Sequence, residues 1–179
     1  MCFNVWVVNL QMLNTQYSMF SVPLKTSFFI ILASCIISSC NTIDLYEKTV
    51  SIPGHKWTSA YKPEFTFAIK DTAVPYNVFF VIRHTEKYNY NNIFINLWSR
   101  QPGNDSLRKQ QLEIPLATDA GGWLGTAMDD IYEQRLLLSP KEGSYFPKSG
   151  TYTFSLEQIM REQPLEYVMN VGLRIEKKL

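Results

Sequence analysis

Pro63-Glu64-Phe65-Thr66-Phe67-Ala68-Ile69-Lys70-Asp71 alternates as a half-buried strand must, with Phe65, Phe67 and Ile69 on one face and Thr66 and Lys70 on the other. The same period recurs on both sides of it. Upstream, Leu45 to Ile52 alternates until Pro53-Gly54 closes it with a turn signal. Downstream, Tyr76 to His84 is apolar on both faces through Val81, as suits a central strand covered on two sides. Lys87-Tyr88-Asn89-Tyr90-Asn91-Asn92 reads as a turn, and Ile93 to Trp98 resumes the pattern, so the two runs are expected to form a hairpin.

Gln101 to Asp105 is a turn, after which Leu112, Ile114 and Leu116 alternate with Glu113 and Pro115. Pro115 removes a backbone donor, which places this strand at a sheet edge. Ala120 to Gly125 is a loop around Trp123, and Ile131 to Leu138 is a further strand that stops before Pro140. Gly150 to Phe154 turns Tyr152 and Phe154 inward, and Ser155-Leu156-Glu157-Gln158 carries the letters of a capping box for one short helix that Pro164 ends. Tyr167 to Glu176 alternates Val171, Leu173 and Ile175 against Arg174 and Glu176. Seven or eight short strands with barely a helix predict an all-β antiparallel β-sandwich of two packed sheets over residues 45–179, with a small closed barrel as the alternative.

The first 39 residues belong to no such pattern. From Ser27 to Cys40 an apolar run of about eleven residues follows Lys25 and ends in small residues and cysteine, which is secretory in length and short of the roughly 20 residues of a membrane span. Ile37-Ser38-Ser39-Cys40 has an aliphatic residue, two small residues and a cysteine to be lipidated, such as with palmitate. Leu32-Ala33-Ser34-Cys35 has the same form, but Ile36 and Ile37 continue the apolar run, so Cys40 is preferred. Residues 1–39 are thus read as a signal peptide, with Met19 a possible start, and 40–44 as a lipidated tether. At about 3.3 Å per residue, this tether allows on the order of 15 Å of clearance from a membrane.

Composition narrows the function classes. Of 17 Lys and Arg only Lys25 precedes residue 40, so the mature part balances 16 against 16 acids, which gives no electrostatic case for nucleic acid. Cys2, Cys35 and Cys40 are the only cysteines, so the mature chain has neither a disulfide framework nor a cysteine metal site. His55 and His84 are too few for a zinc site and read as surface or strand-end residues. Arg83 and His84 point to opposite faces of one strand, so Arg83-His84-Thr85-Glu86 reads as a hairpin-end salt bridge. Asp129-Asp130, with Asp119 nearby, reads as solvated acids and not as a calcium site. Gly121 to Gly125 lacks the context of a phosphate loop, and no Gly-x-Ser-x-Gly elbow or paired carboxylates stand out. No catalysis, cofactor or small-molecule substrate is expected.

Aromatic rings are what remains. Tyr88, Tyr90 and Trp123 are the candidates for contact with a partner, although rings near strand ends also serve as core plugs. Exposed rings on a sandwich could equally stack on sugars, which makes a carbohydrate-binding envelope lipoprotein of a polysaccharide-uptake system the alternative function.

Ile52-Pro53-Gly54-His55-Lys56-Trp57, Phe65-Thr66-Phe67 with Asp71-Thr72, Ile82-Arg83-His84 with Tyr88 to Asn92, Gly122 to Gly125, and Gly150 to Phe154 through Met160-Arg161 occur here in a fixed order. In that order they resemble the gliding-motility lipoprotein GldH family of Bacteroidetes. The resemblance implies a noncatalytic envelope protein of the gliding machinery, associated with type IX secretion, that is anchored by lipid on Cys40 and contacts other envelope proteins. Asn41 follows Cys40, and Thr42-Ile43-Asp44-Leu45 holds no acidic cluster of the kind expected for surface export in that phylum, so the domain is expected to face the periplasm.

Overall fold

The structure is a computed structural model that describes residues 45–178. The expected signal, the tether and Cys40 lie outside the described residues. Eleven strands follow in order: β1 (Leu45–Ser51), β2 (Lys56–Trp57), β3 (Glu64–Ile69), β4 (Tyr76–Thr85), β5 (Asn92–Arg100), β6 (Arg108–Pro115), β7 (Thr126–Met128), β8 (Ile131–Leu137), β9 (Gly150–Gln158), β10 (Leu165–Glu166) and β11 (Val168–Lys177). Eight of them have six or more residues, and a 3-10 turn at Pro53–His55 is the one helical element among the described residues. Those eight and the three-residue β7 form a five-stranded sheet, β1-β11-β4-β8-β7, and a four-stranded sheet, β3-β9-β5-β6. All their pairings are antiparallel. The two sheets pack face to face around one core, so the sandwich holds and the closed barrel does not.

Period-2 patterning places the core. Phe65, Phe67 and Ile69 of β3, Ile93, Ile95 and Leu97 of β5, and Tyr152, Phe154 and Leu156 of β9 are buried. Tyr76, Val78, Phe80 and Ile82 of β4 and Val171, Leu173 and Ile175 of β11 face them. Edge-to-face rings knit one end, where Phe67 meets Phe154 at 5.1 Å and Phe146 meets Tyr76 at 5.4 Å. β6 is an edge strand, as Pro115 requires.

Two local expectations are corrected. β4 and β5 do not form a hairpin, because β4 lies between β11 and β8 whereas β5 lies between β9 and β6. The chain turns a corner between sheets there, held by Tyr88, whose N–H donates to the Thr85 carbonyl at 3.1 Å and whose hydroxyl donates to the Asn92 carbonyl at 3.1 Å. Ser155 to Gln158 is not helical either. β9 runs through it, with Ser155 opposite Glu64 on one side and Leu156 opposite Leu97 on the other. Two-sided strand pairing satisfies those backbone groups and overrides the capping letters.

The outer face of the five-stranded sheet is tied by ions. Glu47 of β1 accepts from Arg174 of β11 at 2.7 Å and from Arg135 of β8 at 2.7 Å. Arg135 therefore spans β4 and β11, over the row in which Val81 opposes Gly172. Arg83 pairs at 3.5 Å with Glu133 across the sheet and not within its own loop.

Candidate functional site

β4 carries its inward alternation one step past Ile82, to His84, which lies at the strand end as expected but is fully buried and not on the surface. Around this imidazole the loops at one end of the sandwich assemble a ring cluster. Trp123 stands at 4.6 Å, Tyr88 at 5.2 Å and Tyr132 of β8 at 5.7 Å from it, centroid to centroid. Tyr90 packs on Tyr88 at 5.8 Å. The three aromatic side chains singled out from the sequence are thus brought together, but not in equal roles. Tyr88 is 3% exposed and so is corrected from a contact ring to a core plug, whereas Tyr90 and Trp123 are half-buried and keep surface toward solvent.

The polar atoms beneath the rings are assigned by what can donate. Gln134 Nε2 donates to the Leu116 carbonyl at 3.0 Å, so the same nitrogen presents its second hydrogen to His84 Nε2 at 3.0 Å. His84 Nδ1 then carries the proton and donates to the Thr85 carbonyl at 2.9 Å. A second proton on the ring would confront the Gln134 amide nitrogen with another donor. Burial pulls the imidazole below its ordinary range, and the Thr85 hydrogen bond offsets this only in part. The ring is therefore neutral and committed to structure.

The sign of its pH dependence follows. The folded state favours neutral His84, so its stabilising contribution is complete above the unfolded value near 6.5 and is lost as pH falls from there toward the lower folded value. Urea midpoints measured from pH 8 to pH 5 are expected to fall, and His84→Phe is expected to flatten that slope. An unchanged slope in the variant would contradict the assignment.

Trp123 is held by a tight loop. Thr118 N–H donates to the Gly122 carbonyl at 2.7 Å and Leu124 N–H to the Leu116 carbonyl at 2.8 Å. Gly125, at φ +89°, lies so close to β8 that a Cβ there would sit 2.3 Å from the Glu133 carbonyl oxygen. Asp129-Asp130 is the two-residue turn between β7 and β8, with Asp129 at φ 54°, and the Asp130 carbonyl accepts from Glu86 N–H at 2.8 Å. Among the described residues no three His, Cys, Asp or Glu side chains converge on one point. Tyr90 reaches Glu162, whose hydrogen bond is the main cause of its raised phenol pKa, so this end draws in the loop after β9 as well.

Sequence reasoning missed His84, Gln134 and Tyr132 as members of the cluster. The signal for His84 was its parity, since Tyr76, Val78, Phe80, Ile82 and His84 share one face of β4. The cluster also lies at the end of the sheet opposite Leu45, because Leu45 opposes Glu176 and Glu176 opposes Asn77 in one row, while Ser51 opposes Asn170 and Asn170 opposes Arg83 in another. Those rows are six residues apart along β1, on the order of 20 Å.

Two other features stand apart. On the outer face of the four-stranded sheet, Lys62 and Lys109 stand 5.7 and 5.4 Å from the half-buried Trp98 ring. Glu157 accepts there from Lys62 at 2.7 Å and from Asn96 and Trp98 at 2.8 Å each. Burial alone would raise the Glu157 carboxyl, but those donors outweigh it and bring it down to about 2. Between the sheets, beside β6, a groove of about 360 Å³ is floored by Val78, Leu97, Leu138, Phe146 and Phe154.

Residues 44–175 match the family described as GldH lipoprotein. The gliding motility lipoprotein GldH homolog of Christiangramia forsetii is 32% identical over 157 residues, covering 84% of this chain and 94% of its own. The gliding motility lipoprotein GldH of Flavobacterium johnsoniae is 28% identical over 162 residues, covering 87% of this chain and 98% of its own. Among solved structures, the infectious bursal disease virus VP2 subviral particle superposes with a TM-score of 0.33 at 12% identity, over 76% of this chain and 33% of the viral one. The family match covers nearly all of the sandwich, and on that ground this chain belongs to the GldH lipoprotein family.

Proposed function

We propose that this chain is a noncatalytic, lipid-anchored cell-envelope component of the gliding-motility machinery, associated with type IX secretion. In this reading residues 1–39 are a signal peptide, Cys40 carries the lipid, residues 40–44 are the tether, and the sandwich faces the periplasm. The observation that carries the reading is the family match over residues 44–175, whose relatives bear the name gliding motility lipoprotein. Two features of the domain support it. β1 begins at Leu45 and the ring cluster lies at the other end of that sheet, where Tyr90 and Trp123 offer aromatic surface to a partner. His84, the buried titratable group beneath them, is occupied in holding the loops together.

Expressed in place of the homologue in Flavobacterium johnsoniae, the chain is expected to co-purify from detergent-solubilised membranes with envelope proteins of the gliding machinery. Tyr90→Ala is expected to lose most of that material while the domain stays folded, since removing the half-buried ring from Tyr88 costs about 1 kcal/mol. Recovery of none of them, together with binding on a glycan array, would overturn the reading in favour of carbohydrate recognition. Protease shaving of intact cells is expected to spare the domain, and digestion from outside would overturn the periplasmic orientation.

A further inference from the structure

β6 ends the four-stranded sheet, so one of its edges has no strand against it among the described residues. Which backbone groups face that way follows from its pairing with β5. Leu116 N–H donates to the Asn91 carbonyl, so Ile114, Leu112 and Gln110 also bond toward β5, and Lys109, Gln111 and Glu113 turn their N–H and C=O groups outward. The next outward position is Pro115, which has no N–H to offer. An open edge normally invites another strand, and proteins guard such edges with lysine and proline. Here the guards sit in a self-complementary order, with Lys109 and Glu113 placed symmetrically about Gln111.

We propose that this edge pairs with the same edge of a second copy of the chain, antiparallel, across a two-fold axis at Gln111. In that register Gln111 opposes its own counterpart, Lys109 opposes Glu113 of the second copy, and Glu113 opposes its Lys109. Each of these is an outward-facing position, so the three pairs exchange about six backbone hydrogen bonds. Opposite charges directly across antiparallel strands attract, and both charge pairs lie on the outer face of the combined sheet. A shift by one residue would set outward-facing backbone groups against groups already bonded to β5. One step further out, Pro115 of one copy opposes Leu107 of the other. This accounts for a leucine left 52% exposed before β6 and for where the ladder stops. The interface is isologous and closed, as a two-fold dimer requires, and it joins the two four-stranded sheets into one.

The proposal does not depend on the gliding reading and is tested on the full chain in its membrane. With Gln111→Cys, the two-fold places like residues about 5.5 Å apart at Cα, within disulfide reach. Mild oxidation is expected to yield a disulfide-linked dimer several-fold above both the parent chain and a Thr153→Cys control on the inner strand β9. Adding Lys109→Glu is expected to lower the cross-linked fraction roughly tenfold, because it sets like charges opposite each other twice. Adding Glu113→Lys to that variant is expected to restore it. Cross-linking no higher than in the controls, a fraction indifferent to Lys109→Glu, or an adduct with a different protein would each overturn the proposal.

Discussion

Gly172→Val is expected to destabilise the domain by about 3 kcal/mol or more, through overpacking that backbone atoms cannot relieve. A Cβ on Gly172 would lie 2.4 Å from the Lys48 carbonyl oxygen, 2.6 Å from Thr49 Cγ2 and 2.9 Å from Thr49 Cα. Two of these three atoms are backbone of β1, so β1 would have to leave β11. Its departure would also break the bonds to Glu47 from Arg174 and Arg135, leaving Arg135 with Glu133 alone. Hydrogen exchange is the sharper measurement. The β1 amides that face β11, those of Tyr46, Lys48 and Val50, are expected to lose protection first, while those between β4 and β11 keep theirs longer. Retention of full β1 protection in the valine variant would mean that β1 does not sit where its register places it. β1 carries the whole sandwich on its tether in the proposed function, so this one glycine bears on anchoring as well as on stability.

Tyr88→Ala is expected to cost about 3–5 kcal/mol, the range for emptying a buried aromatic site. That is a large share of the roughly 5–15 kcal/mol that holds an ordinary domain together. The ring is 3% exposed and packs on His84, Tyr90 and Trp123. Its hydroxyl closes the corner by which the chain passes from the five-stranded to the four-stranded sheet. Tyr88→Phe keeps the packing and removes only that hydrogen bond, for about 1 kcal/mol. Thermal or urea unfolding distinguishes the two variants. Near-equal losses would show that the hydroxyl, and not the filled volume, holds the corner. The difference also decides how partner binding is to be probed, since a failure of Tyr88→Ala to bind would report unfolding, whereas Tyr90→Ala reports the surface.

The alternation of Phe65, Phe67 and Ile69, of Tyr152 and Phe154, and of Val171, Leu173 and Ile175 was enough to find the core, because a two-residue period is written locally. Pro115 likewise announced an edge through a donor it lacks. The sheet to which each strand belongs is not a local property. β4 and β5 look like the arms of a hairpin around Tyr88 to Asn92, yet their partners lie far along the chain in β11, β8, β9 and β6. Ser155 to Gln158 failed for the related reason that capping letters compete with strand pairing, and pairing on both sides won. At the candidate site, Tyr88, Tyr90 and Trp123 were legible as aromatic side chains without a place. Their convergence depends on His84, whose burial was readable from parity, and on Gln134, whose position 50 residues away was not.

In the proposed function this sandwich is held at a membrane by lipid on Cys40. Metabolic labelling with radioactive palmitate, comparing the parent chain with Cys40→Ala, tests it most directly. The parent is expected to be labelled and membrane-bound, and the variant to be unlabelled and no longer released at the mature size by signal cleavage before residue 40. A Cys40→Ala chain that still takes up palmitate and still fractionates with membranes would contradict it.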